Sequence, residues 1–169
     1  MKKLSLTLIA GAFVLALAAP SAVSAQQSAS ILAQATVQTP LTVTGVSNLN
    51  FGNVFPGVNP TVLLTDAGAG HFQIAGVLNA EVDVSFSSLP ATLISGVNNM
   101  AITYTGGWNP AANPGAATAF VPSAGLVERL DAATGQMHVY LGGTLTVPAN
   151  QAAGLYQATI TLDAAYTGN

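Results

Sequence analysis

The sequence predicts an antiparallel β-sandwich of about eight or nine strands. Three observations carry this. Apolar and polar residues alternate with period two, the alternating stretches are short and separated by Gly, Pro and Asn clusters, and helical periodicity is almost absent. The clearest stretch is Glu81–Ser87, with Val82, Val84 and Phe86 on one side and Glu81, Asp83, Ser85 and Ser87 on the other. That is a strand with one wet face.

In chain order, Lys2 and Lys3 precede an apolar run from Leu4 to Ala19, then Pro20 and the small residues Val23-Ser24-Ala25. This reads as a secretory signal, residues 1–25, cleaved before Gln26, since the run is short for a bilayer span and ends in an Ala-x-Ala-like site. Residues 26–169 form one domain with an N-terminal extension, 26–38. In that extension Ala29, Ile31, Ala33, Ala35 and Val37 are apolar, while Ser28, Ser30, Gln34, Thr36 and Gln38 are polar, with Leu32 the one exception. Pro40 then interrupts regular pairing. The segment is either the domain's own first strand or a strand free to add to another sheet edge.

Further strands are expected at Leu41–Gly45, Leu49–Val54, Thr61–Thr65, His71–Ala75, Ala91–Ser95, Met100–Tyr104 and Met137–Leu141. The closing strand places Tyr156, Ala158, Ile160, Leu162 and Ala164 on one side. Leu126–Ala133 is the one stretch fit for a turn or two of helix. Gly106–Gly125, with Trp108, Asn109-Pro110, Asn113-Pro114-Gly115 and Pro122, reads as a long loop, and long loops are functional or mobile.

Composition narrows the function. Half of the 169 residues are apolar and 5% are charged, against roughly 25% in an ordinary domain. Removing the signal takes both lysines and leaves Arg129 against six acids. No basic cluster remains to neutralise phosphates, which argues against nucleic-acid binding and polybasic membrane docking. No later segment has the apolar length of a membrane span. There is no cysteine, so packing and strand pairing must supply stability without disulfides.

The catalytic inventory is thin. His71 and His138 are the only histidines, each on an alternating strand where an exposed or edge imidazole is the plain expectation. No His-x-His, thiol or carboxylate-rich loop offers a transition-metal site. Glu81 and Asp83 supply at most half of a weak calcium site. Gly142-Gly143 has no phosphate-loop context. No catalytic residue, metal or cofactor is expected. Tyr104 and Trp108, at the start of the long loop, are candidate ligand contacts, with Trp108 either exposed or folded back over the sandwich.

The stretch Ala35–Val43, then Leu49-Asn50-Phe51-Gly52-Asn53-Val54 with Pro56-Gly57, then Leu141-Gly142-Gly143-Thr144-Leu145-Thr146-Val147 and Gly154-Leu155-Tyr156 together resemble a known group. The sequence resembles a secreted bacterial family of unknown function related to spore coat protein U and to chaperone-usher pilin-like domains, over about Ala33 to Tyr166. It lacks the cysteines common in spore coat U domains. The resemblance implies an immunoglobulin-like sandwich that builds surface structures, in some relatives by donor-strand complementation. It implies partners to match: further copies of itself, a periplasmic chaperone and an outer-membrane usher.

The expectation is therefore a secreted, extracellular or cell-surface, non-catalytic structural subunit of a bacterial filament, pilus or coat. Ala29, Ile31, Ala33, Ala35 and Val37 would be its donor-strand anchors. The alternative is a monomeric secreted binding module, adhesin-like, using loop 106–125.

Overall fold

A computed structural model describes residues 27–37 and 39–168. The expected signal, residues 1–25, lies outside the described residues, as do Gln26 and Gln38 of the extension. The chain divides into two units, Met1–Thr36 and Val37–Asn169. In the first, the described residues 27–36 form no helix or strand, and all are exposed.

The second unit is an antiparallel β-sandwich. Its strands are β1 (Thr42–Ser47), β2 (Thr61–Val62), β3 (Gly70–Ala75), β4 (Glu81–Ser88), β5 (Thr92–Ser95), β6 (Asn98–Asn109), β7 (Thr118–Phe120), β8 (Leu126–Arg129), β9 (Gln136–Thr146) and β10 (Thr161–Tyr166). The larger sheet runs β1-β3-β9-β6-β5, with β2 also pairing β9 and β7 pairing β6. The smaller sheet is β10-β4-β8. Among the described residues, no helix is long and apolar enough to cross a membrane.

Alternation decides which side chains meet between the sheets. Val82 and Val84 of β4, Met137 and Val139 of β9, Ile74 of β3 and Leu162 of β10 form one buried cluster with Leu130. A second cluster, Met100, Ile102, Leu145 and Val147, continues along the same face of β6 and β9. Its cover is Leu49, Phe51, Val54 and Tyr156 from irregular segments, with Leu93 and Tyr104; no residue of β4, β8 or β10 joins it. The smaller sheet thus covers only part of the larger one.

Four expectations are corrected. Leu49–Val54 is a loop, because Asn50 bonds the Gly68 carbonyl in another loop, 2.8 Å away, and no strand lies alongside. Leu126–Ala133 is a strand and a turn, since Leu126–Arg129 pairs with Val84–Glu81 and Asp131 then caps the turn through the Ala133 and Thr134 amides. The stretch Gly106–Gly125 opens inside β6, whose register with β9 runs to Asn109, and holds β7 and two short 3-10 turns. The last strand begins at Thr161 and not at Tyr156.

Candidate functional site

Where the smaller sheet stops, an open trough remains over the larger sheet, lined by polar and apolar groups in nearly equal measure. Its floor is Phe72 of β3, Ile102 of β6 and Leu141 of β9; its walls are Gly45–Phe51 on one side and Leu155–Ile160 on the other, enclosing about 640 Å³. A second hollow of about 430 Å³ shares the wall residues Leu49, Phe51, Leu93 and Tyr156 and reaches Met100, Leu145 and Val147.

The wall Leu155–Ile160 has the side-chain pattern of a strand without its pairing. Tyr156, Ala158 and Ile160 are half-buried, while Leu155, Gln157 and Thr159 are exposed. Only Gln157 pairs, in an isolated bridge to Ile94; Ala158–Ile160 have no strand partner, although the Thr159 carbonyl accepts the Ser88 hydroxyl at 3.0 Å. Across the opening, β1 is an edge strand paired with β3 alone, and all six of its residues are exposed. Its sequence, Thr-Val-Thr-Gly-Val-Ser, carries none of the charges that usually block pairing at a sheet edge. The trough thus has main-chain groups along its rims and apolar side chains on its floor.

The expected donor residues are not paired in the structure. Ala29, Ile31, Ala33, Ala35 and Val37 lie outside any helix or strand and are exposed, Ile31 to 95% and Val37 to 96%. Leu32, the exception to the alternation, is 85% exposed.

The candidate ligand contacts are instead engaged in the fold. Tyr104 lies in β6, donates its hydroxyl to the Pro90 carbonyl at 2.7 Å and packs on the second cluster, and burial raises its pKa. Trp108 lies four residues along the same face of β6 and packs against the main cluster. Glu81 pairs with Arg129 at 3.5 Å and accepts the Thr167 hydroxyl, so it is not a free half of a calcium site.

Sequence reasoning missed the histidines' relationship. His71 stands opposite Tyr140 in the β3–β9 register and His138 lies two residues away, putting all three on the outer face of the larger sheet. His71 Nε2 and His138 Nδ1 are 3.0 Å apart, and the His71 ring stacks on Tyr140 with centroids 4.6 Å apart. His138 is buried rather than exposed. Desolvation lowers the pKa of both imidazoles, and the neighbouring His138 lowers that of His71 further. Only the register across β3 and β9 reveals this pair.

Fold and trough define a β-sandwich domain with one incompletely covered side. The chain belongs to the DUF4402 family, a domain of unknown function, whose model matches residues 41–166. The N-terminal segment therefore precedes the matched region. No curated protein and no solved structure matches the chain.

Proposed function

We propose that this is a non-catalytic structural subunit of a bacterial extracellular filament, pilus or coat, in which segment 26–38 of one copy occupies the trough of the next. The observation that carries the reading is the wall Leu155–Ile160: its inward row lines a trough with an apolar floor, and most of its backbone lacks the neighbour that a strand requires. An added strand bonds to such an edge through its main chain, and alternate side chains enter the groove beneath. Ile31 and Val37 are the bulkiest apolar residues in the expected inward row of the extension. The resemblance to spore coat U and pilin-like domains supports the same reading, as does a surface of Ser, Thr, Asn and Gln with few charges to repel close neighbours.

In this proposal the chain is exported after cleavage at Ala25, and its copies meet at the cell surface, with a chaperone and usher as candidate helpers. The native chain has no cysteine, so one introduced pair reports the contact cleanly. Ile31→Cys with Ala158→Cys gives an oxidised ladder of multimers on a non-reducing gel, and either substitution alone gives at most dimers. A double variant that stays monomeric under oxidation counts against strand exchange.

A further inference from the structure

We propose that His71 and His138 form a two-imidazole chelate for a borderline divalent cation of the copper, nickel and zinc series. The nitrogen spacing is within the range of a chelating pair. The facing nitrogens are 3.0 Å apart. Two imidazole nitrogens each about 2.0–2.1 Å from one metal lie about 2.9–3.4 Å apart as the angle at the metal opens from a right angle to a tetrahedral one. The rings are tilted by 34° and so do not stack face to face. Their centroids are 5.2 Å apart, so the rings point nearly end to end, and each must turn for both lone pairs to meet at one cation.

The surroundings favour a cation that seeks neutral nitrogen donors. Among the described residues no other hydrogen bond reaches either ring, so each imidazole can carry its proton on the far nitrogen and turn a lone pair inward. Without a cation, one of the two must donate to the other. Stacking on Tyr140, itself 4% exposed, fixes the His71 ring, and the β3–β9 ladder fixes both backbones. Such preorganisation reduces the ordering cost of binding. Desolvation lowers the pKa of both imidazoles, which weakens the competition of protons for their lone pairs.

No third His, Cys, Asp or Glu joins the pair among the described residues. Water must then fill the remaining positions, and hard, oxygen-seeking calcium and magnesium are poor fits. Affinity should follow the usual divalent order, with copper above nickel and zinc. The pair lies on the outer face of the larger sheet, away from the trough, so it stands apart from the assembly proposal.

The test uses the intact folded protein in chelator-free buffer. Calorimetry with zinc chloride and electron paramagnetic resonance with copper(II) chloride should each show one cation per chain, the copper spectrum carrying two imidazole nitrogens. His71→Gln and His138→Gln should each lose this signal. Since His138 is buried, His71→Gln, with a melting curve like the parent's, is the decisive variant if the other fails to fold. Imidazole nitrogen resonances of both residues should shift with zinc. No binding to the parent, or binding undiminished in His71→Gln, would overturn the proposal and leave the pair as an internal hydrogen bond.

Discussion

Ile94 and Gln157 exchange both of their backbone hydrogen bonds, at 3.0 and 3.1 Å, and this single bridge ties one wall of the trough to the edge of the larger sheet. Four residues later the same chain enters β10 of the smaller sheet. The segment between therefore crosses from one layer to the other with few backbone partners of its own.

Gln157→Pro removes one of these two bonds, because proline has no N–H to donate. Ile94 is 55% exposed, so its carbonyl can turn to water and the cost should be at the low end, about 1 kcal/mol. A melting curve checks the magnitude. Amide exchange at Ile94 should quicken, while that of buried Leu141 should scarcely change.

The trough has a rigid floor and softer walls. Leu141 is fully buried, so Leu141→Ala should cost about 2–5 kcal/mol. Phe51 is half-buried in a loop; Phe51→Ala should cost less than the roughly 3–5 kcal/mol of a fully buried phenylalanine. Denaturant titration of the two variants gives the order. A larger loss at Phe51 would mean that the loop, and not β9, holds this end of the fold together.

Gly68 shows how the other wall is held. The Asn50 amide donates to the Gly68 carbonyl at 2.8 Å, and a Cβ placed on Gly68 would run into the Asn50 carbonyl oxygen. Gly68→Ala must push Asn48–Phe51 outward, at a cost of about 1–3 kcal/mol for overpacking. A melting curve together with amide shifts confined to residues 48–51 and 66–70 would verify the displacement.

Side-chain alternation was readable in the sequence; pairing was not. Val82, Val84 and Phe86 point inward as their pattern requires, and so do Tyr156, Ala158 and Ile160, yet the latter lie outside any ladder. Alternation reports which side chains face the interior, whereas a strand also needs a neighbour, which other parts of the chain must supply. Leu49 and Phe51 follow the same rule, turning inward from a loop. The short stretch Leu126–Leu130 fits either periodicity, and pairing with β4 decided it. The His71–His138 contact spans 67 residues and depends on a register that neither histidine's local sequence encodes.

Stability should fall on mild acidification because of that pair. Each imidazole has a lowered pKa in the folded state, so the unfolded chain binds protons first. Between the folded values and the ordinary imidazole value of about 6.5, more protons are bound unfolded than folded, and stability rises with pH. The contribution is therefore complete above that ordinary value and declines as pH falls below it. His71→Gln should flatten the slope of melting temperature between about pH 5 and 7. An unchanged slope would place the acid sensitivity elsewhere.

The assembly proposal makes the sharpest demand on the N-terminal segment. Ile31 is the bulkiest side chain in a row made mostly of alanine, and a carboxylate there would have to be desolvated in the trough without a partner. Ile31→Asp should abolish polymer formation, whereas Ser30→Asp, on the outward row, should leave it intact. Deleting residues 26–35 should give a subunit that accepts a strand but cannot donate one: it should run as a monomer in size-exclusion chromatography and melt at a higher temperature when a peptide of residues 26–38 is added. Phe72 and Ile102 lie on the trough floor, so their resonances should shift with that peptide while those of Val127, exposed on β8, should not. A truncated protein with undiminished stability and no response to the peptide would make segment 26–38 a bystander and the sandwich self-sufficient.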